Sequence, residues 1–243
     1  MSAPASATGC LYLLPVALTE GPWTAFLPAQ AQAIAASLRH FVVETARTAR
    51  AHLKQLEHPA ALRELDIREL PSRTDASDAE WDALLAPALA GASVGLMSDA
   101  GCPAVADPGA RLVARAHALG VRVVPLVGPS SILLGLMASG LNGQSFAFHG
   151  YLPVNESERD RTLRALEEES QRLGRTQLFI ETPYRNARIF DAILKCCRPQ
   201  TRLCVACELN GPDEWIRTLS VRDWKRQPPP ELARRPALFL LLA

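Results

Sequence analysis

Apolar and polar positions alternate along the middle of the chain in two consecutive units of one kind. Val94, Leu96 and Met97 form a short apolar run that breaks at Ser98-Asp99-Ala100-Gly101. A period near 3.6 follows, with Leu112, Val113, Ala116 and Leu119 recurring before Gly120, so the spacing predicts a strand, a loop and a helix. Asp107-Pro108-Gly109 is expected to start that helix, because Asp caps free amides and Pro suits the first helical position. A strand over 121–127, the loop Gly128-Pro129-Ser130-Ser131 and a helix over 132–138, stopped at Gly140, complete the second unit. Two such loops in succession lie at the carboxyl ends of neighbouring parallel strands, where open α/β sheets bind ligands. Both loops are nearly free of bulk, so backbone amides and carbonyls can approach a ligand closely, although ordinary turns of a doubly wound sheet have the same spacing.

The flanks repeat the alternation. Residues 10–14 read as a buried strand closed by Pro15, followed by a helix over 27–38, a strand over 41–43 and a helix over 49–56. A short strand is predicted at 66–70, then a helix capped by Ser77 or Asp78 and running to 89. Around 146–153 the alternation changes phase and Gly150 and Pro153 intervene, so the crossing between domains is expected there, giving domains 1–147 and 148–243. Beyond it come a charged helix over 155–173 ended by Gly174, a strand over 176–180, a helix over 186–195, a strand over 202–207, an antiparallel strand over 214–219 and a last strand over 236–242. The fold class expected is α/β: two α/β/α domains with mixed sheets.

Composition narrows the function classes. The 243 residues are 48% hydrophobic and carry a formal net charge of +1, which excludes a disordered chain and a strongly cationic nucleic-acid binder but leaves room for a local patch. The basic residues are nearly all arginine, the lysines being Lys54, Lys195 and Lys225. Arg159, Arg161 and Arg164 on the charged helix either meet phosphates or form a solvated face. Residues 1–6 lack the basic region and apolar core of a secretory leader, and no apolar run is long enough to cross a membrane. Of Cys10, Cys102, Cys196, Cys197, Cys204 and Cys207, the last two form a C-x-x-C inside an apolar run with no second pair at zinc spacing. Buried thiols in a reducing cytosol are expected, and no metal site.

The loop after Pro15 has no G-x-G-x-x-G, so the usual dinucleotide fingerprint is missing. At the end of the second strand, Glu44 and Arg47 read as a polar pair facing a cleft or as a structural ion pair at a strand-to-helix junction. Glu181-Thr182-Pro183-Tyr184-Arg185 forms a similar strand-to-helix loop in the second half.

Taken together, Leu11-Tyr12-Leu13-Leu14-Pro15, Glu44-Thr45-Ala46-Arg47-Thr48, Ser98-Asp99-Ala100-Gly101-Cys102-Pro103, Asp107-Pro108-Gly109, Val124-Pro125-Leu126-Val127-Gly128-Pro129-Ser130 and Gly150-Tyr151-Leu152-Pro153 resemble the loops of the tetrapyrrole methylase superfamily. Within it the resemblance is to the branch of the small-subunit ribosomal RNA cytidine-2′-O-methyltransferase. The resemblance implies an S-adenosylmethionine-dependent methyltransferase with two α/β domains and a cofactor cleft between them, releasing S-adenosylhomocysteine. It further implies a cofactor site lined by Pro15, Ser98, Asp99, Ala100, Gly101, Val105, Ser130, Ser131, Ile180, Glu181, Leu209 and Ala237. If the acceptor is a hydroxyl, Glu44 or Glu181 is the candidate base, oriented by Arg47 or Arg185. Acceptors compatible with the resemblance are ribosomal RNA, in or out of the small ribosomal subunit, and a small molecule such as a tetrapyrrole. A module that binds the donor without turnover is the alternative of another kind. The resemblance also implies a homodimer, and a cytoplasmic location is expected. Three segments depart from the ribosomal pattern: T-P-x-G-N-L is replaced by Val16-Ala17-Leu18-Thr19-Glu20-Gly21, E-D-T-R has lost its Asp, and R-E-L reads Cys207-Glu208-Leu209.

Overall fold

The computed structural model describes residues 8–73 and 75–243; the leader-free reading of residues 1–6 lies outside them. Two compact units divide between Ser130 and Ser131. In the first, β1 (Cys10–Leu13), β2 (His40–Val43), β3 (Asp66–Glu69), β4 (Val94–Met97) and β5 (Arg122–Pro125) form an all-parallel sheet in the order β3-β2-β4-β1-β5. The central strand β4 is buried along its whole length, which accounts for its unbroken apolar sequence: a parallel strand covered on both faces has no polar side to alternate with.

Period-2 alternation then sorts the side chains into two cores. Leu11, Val42, Val94 and Leu96 pack with α3 (Asp78–Leu89) and α4 (Ala110–Ala118) through Trp81, Leu85, Leu112 and Ala116. On the opposite face Leu14, Phe41, Val43 and Met97 pack with α1 (Ala29–Ser37) and α2 (Ala46–Gln55) through Ala35, Ala49 and Leu53. The expected cap of α3 is present as a reciprocal pair. Ser77 Oγ accepts from Glu80 N, and Glu80 Oε2 accepts from Ser77 N at 2.8 Å.

The second unit opens with α5 (Ser131–Ser139) and carries β6 (Phe146–Tyr151), α6 (Glu156–Leu173), β7 (Thr176–Glu181), α7 (Asn186–Cys196), β8 (Arg202–Cys207), β9 (Trp215–Ser220), α8 (Val221–Trp224) and β10 (Ala237–Leu242). Its sheet runs β6-β7-β10-β8-β9, with β6 and β7 parallel and the other neighbours antiparallel. Phe179, Leu203, Val205, Phe239 and Leu241 face a core completed by Leu163, Ile189, Phe190 and Trp224. Phe179 stacks on Phe239 at 5.9 Å, and Trp224 donates Nε1–H to Leu203 O at 2.9 Å. Gly174, at φ +60°, ends α6 as its sequence position predicts.

Two expectations are corrected. The units do not divide between 147 and 148, because the 146–151 stretch is not a crossing: it is the edge strand β6, whose Phe146, Ala147 and Phe148 pair with Thr176, Gln177 and Leu178 of β7. Helix α5 belongs to the same unit, since Gly135 lies so close to Leu238 that a Cβ there would meet Leu238 Cδ2 at 2.4 Å. The helix after Ser98–Gly101 is not capped by Asp107: its N-cap is Gly109 at φ +129°, with no side-chain bond.

Cys204 and Cys207 are both fully buried, and their odd spacing along β8 turns them to opposite faces of the sheet, so they cannot share an ion. No group of potential metal ligands occurs among the described residues, and no described helix is long and apolar enough to cross a membrane.

Gly9 sets how closely β1 is entered from the turn before β4. A Cβ at this position would stand 2.3 Å from the Ala92 carbonyl oxygen and 2.9 Å from Ser93 N, both backbone atoms that cannot step aside. Gly9→Ala is expected to destabilise the first unit by about 3 kcal/mol, at the upper end of overpacking costs. Scanning calorimetry checks this, and an unchanged melting profile would refute it.

Candidate functional site

The strand order places the carboxyl ends of β1 and β4 side by side at a topological switch point. The chain from β1 crosses β4 to reach β2, whereas the chain from β4 crosses β1 to reach β5. The loops leaving these ends are stitched together. Val16 N donates to Gly101 O at 2.9 Å, Glu44 N to Met97 O at 3.1 Å, and Cys102 Sγ to Pro129 O at 3.4 Å. Gly128 packs so tightly on Pro15 that a Cβ would lie 2.3 Å from Pro15 Cβ. Pro15, Ser98, Asp99, Ala100 and Gly101 are therefore brought together at this end of the sheet. Val105 follows them, half exposed between two alanines held in the left-handed region, Ala104 at φ +65° and Ala106 at φ +63°. Side chains with a Cβ pay to adopt that conformation, and such strain concentrates at functional loops.

Three carboxylates crowd this end of the sheet. Glu44 Oε2 accepts from Asp99 N at 3.1 Å, and Asp99 Oδ2 accepts from Thr45 Oγ1 at 2.9 Å. His52 Nε2 donates to Asp99 O at 3.0 Å, which fixes the imidazole tautomer. Asp107 is the third. Burial is the main cause that pushes its carboxyl up to about 6, and the neighbouring Glu44 and Asp99 charges push the same way against a Ser98 hydrogen bond. The Cys102 thiol is raised by burial and by Asp107. Among the described residues no lysine or arginine pairs with Glu44, Asp99 or Asp107. A cationic ligand bearing polar groups fits such a place: it would neutralise the carboxylates while the close-set backbone of the Gly101 and Gly128 loops admits its body. The expected Glu44–Arg47 pair does not form. Arg47 is exposed on α2, because Glu44 is turned inward to the Asp99 amide.

In the second unit Ile180, Glu181, Leu209 and Ala237 converge at one end of the sheet: Leu238 is opposite Ile180, and Ala237 is opposite both Glu181 and Cys207. Ser131 opens the helix whose Gly135 faces Leu238 and Leu209. Glu181 is 5% exposed and held at both oxygens. Oε1 accepts from Thr182 N at 2.7 Å and Thr182 Oγ1 at 3.2 Å, while Oε2 faces Arg185 Nη2 at 2.9 Å, off the line of a hydrogen bond. Its carboxylate anchors the loop into α7. Ser130 is half-buried at the end of the first unit.

The sequence pattern did not single out an open groove of ≈ 600 Å³ in the second unit, lined by Glu208, Asp213, Glu214, Trp215, Pro230, Glu231 and Arg235. Arg235 is spent within it, on Glu208 Oε2 at 3.2 Å and on the carbonyls of Asp213 and Glu231. Nor was Asp107 legible as more than a cap. The signal available was its place in Ala-Asp-Pro-Gly directly after a second small-residue loop. Of the charged-helix arginines, Arg159 is nearly buried beside Asp160, and Arg161 and Arg164 are exposed.

These two sheets, with bare loops and a cluster of carboxylates at the carboxyl ends of the parallel one, define an α/β protein of two units. The family model of the tetrapyrrole (corrin/porphyrin) methylases matches residues 27–222. The chain belongs to that family. It is 40% identical over 139 residues to a ribosomal RNA small subunit methyltransferase I of Mesorhizobium japonicum, an alignment covering 57% of this chain and 46% of that protein. It is 38% identical over 137 residues to the protein of the same name from Pseudomonas aeruginosa, covering 55% and 47%. The chain thus spans about half the length of the curated relatives it matches. The fold is that of the crystal structure of the methyltransferase CobJ, with a TM-score of 0.63 at 17% identity over 97% of this chain and 94% of that one. It also matches a uroporphyrin-III-C-methyltransferase from Thermus thermophilus, with a TM-score of 0.54 at 18% identity over 96% and 92%.

Asp107 gives the site a measurable signature. An unfolded carboxyl titrates near 3.8 and this one near about 6, so between those values the folded chain holds the extra proton. Stability therefore falls as pH rises through that window, and the penalty is complete above it. Asp107→Asn is expected to melt higher than the wild type at ~pH 8, with the gap closing by ~pH 4. A gap independent of pH would show that Asp107 titrates as an ordinary carboxyl.

Proposed function

We propose that this chain is a methyltransferase that uses S-adenosylmethionine and methylates a ribose hydroxyl of small-subunit ribosomal RNA. The observation that carries the reading is the stitched set of loops after β1, β2, β4 and β5, whose carboxylates, without a basic partner among the described residues, suit a positively charged donor. The activity named for the relatives supports the acceptor. Pro15, Ser98, Asp99, Ala100, Gly101, Val105 and Ser130 are assigned to the donor, and the same reading assigns Ser131, Ile180, Glu181, Leu209 and Ala237 to it. The donor supplies an activated methyl group on a sulfonium, and its transfer to an acceptor oxygen leaves S-adenosylhomocysteine.

The chain's own residues have the remaining work of binding, orienting and moving a proton. Methylating a hydroxyl releases its proton, and a base is most useful when its affinity lies near the working pH. Of the carboxylates described, Asp107 has its proton affinity raised toward the working range, so we assign the proton-accepting role to it, with Glu44 held by the Asp99 amide and Glu181 by Thr182 and Arg185. Glu44 positions it by holding the Asp99 amide and by contributing like charge. A cytoplasmic homodimer belongs to the same proposal.

Calorimetry with S-adenosylhomocysteine, and transfer of radiolabelled methyl to small-subunit ribosomal RNA, test it. The wild type is expected to bind the product and label the RNA. Gly101→Val forces a β-branched residue to φ +71° with its Cβ 3.2 Å from Leu18 Cδ2, and is expected to weaken binding at least about tenfold, 1.4 kcal/mol. No heat with folded wild-type protein refutes the donor assignment. Heat without RNA labelling refutes the acceptor assignment alone.

A further inference from the structure

The net charge of +1 hides a local excess of positive charge. Between Arg39 and Arg63 the chain carries Arg39, Arg47, Arg50, Lys54 and Arg63 against Glu44 and Glu57, and Glu44 is turned inward to the Asp99 amide. Arg47, Arg50 and Lys54 lie on α2 at spacings of three and four residues, which at 3.6 residues per turn places them within about 60° of arc. All three are exposed, while Ala49 and Leu53 hold the helix to the core. None of the three pairs with a carboxylate among the described residues.

Four other arginines of the same unit are paired with carboxylates. Arg115 makes two 2.7 Å bonds to Asp82, Arg111 meets Asp78 at 3.1 Å, Arg68 meets Asp66 at 2.9 Å, and Arg73 is paired with Glu80. Exposed ion pairs stabilise little, but they do cancel the field that a polyanion would sense. The α2 ridge is left uncancelled and, unlike the unpaired Arg39, Arg63 and Arg122, sets three cations on one helix face. It also starts at the site: Thr45, immediately before α2, donates to Asp99 Oδ2, and His52, on the inner side of the helix, meets the Asp99 carbonyl. The groove of the second unit, with Glu208, Asp213, Glu214 and Glu231 around an internally paired Arg235, has the opposite character and would repel phosphates.

We propose that the exposed ridge Arg47–Arg50–Lys54 on α2 is the surface that tracks the phosphate backbone of the RNA acceptor and delivers its ribose to the carboxylate pocket, an inference that rests on the RNA acceptor assigned above. Successive cations on one helix face match a phosphate chain, and Arg suits it through bidentate contacts. The contact is electrostatic, so it sets affinity and salt dependence, with no base readout.

The test is binding of the wild-type chain and Arg50→Gln/Lys54→Gln to in vitro transcribed small-subunit ribosomal RNA across a range of salt, beside S-adenosylhomocysteine calorimetry on both. Arg222→Gln/Arg226→Gln, which removes equal charge from residues beside Asp223, is the control. The α2 variant is expected to keep product affinity, to bind RNA about tenfold more weakly near 0.1 M salt, and to lose roughly 1.5 from the slope of log K against log salt; the control should stay within about twofold. Equal slopes for wild type and α2 variant overturn the ridge and leave the enzyme reading standing. Wild type that binds product but neither naked RNA nor whole small subunits overturns the ridge and the RNA acceptor together. Binding to whole small subunits with none to naked RNA assigns the ridge to a ribosomal protein, which also overturns it.

Discussion

Everything at the candidate site depends on keeping Glu44, Asp99 and Asp107 together at the end of a parallel sheet without a basic side chain to neutralise them. Like charges at partly desolvated positions repel, so the fold has to supply compensation by other means. Part comes from backbone and hydroxyl donors: the Asp99 amide serves Glu44, and the Thr45 hydroxyl serves Asp99. Part comes from Asp107 keeping its proton to a higher pH than a free carboxyl does. What remains is stored in the loop itself, where Ala104 and Ala106 hold left-handed backbone and Gly109, at φ +129°, turns the chain into α4. A pocket built at this cost has an electrostatic preference for cations before any ligand arrives.

The parts of this arrangement that could be read from the sequence are those fixed by local chemistry. The buried strands 94–97 and 202–207 declare themselves as unbroken apolar runs, Ser77 and Glu80 form a local capping pair, and Gly174 ends its helix where it stands. The small-residue loops at Pro15, 98–101 and 128–131 were visible for the same reason. What was not legible depends on partners far along the chain. Helix α2 begins at Ala46, three residues before the periodicity suggests, because Glu69, at the end of the neighbouring strand, accepts from the Ala46 amide at 2.7 Å. Asp107 has the sequence of a cap but points to Glu44 and Asp99, since the left-handed alanines on its N-terminal side turn it away from the helix. The stretch 146–151 carries a glycine and precedes a proline, as a linker would, yet β7 pairs with it, and pairing with a strand thirty residues on leaves no mark in local pattern.

Overall charge was equally uninformative about partners, because it sums surfaces of opposite sign. A methyl donor is cationic at its reactive centre, whereas a nucleic-acid acceptor is a polyanion, so an enzyme joining the two needs negative and positive surfaces close together but separately screened. Thr45 marks the seam between them here. Its side chain closes the carboxylate pocket through Asp99, and the helix that begins at the next residue carries exposed Arg47, Arg50 and Lys54 outward. Salt screens exposed charges within about 10 Å at ordinary ionic strength, so the two fields can act on different parts of a bound pair without cancelling. The helix dipole works in the same sense: its amino end, positive and already satisfied by Glu69, faces the strand ends, and Lys54 sits in its last turn, where a cation is favoured. One ten-residue helix thereby separates the two signs of charge that the proposed chemistry requires.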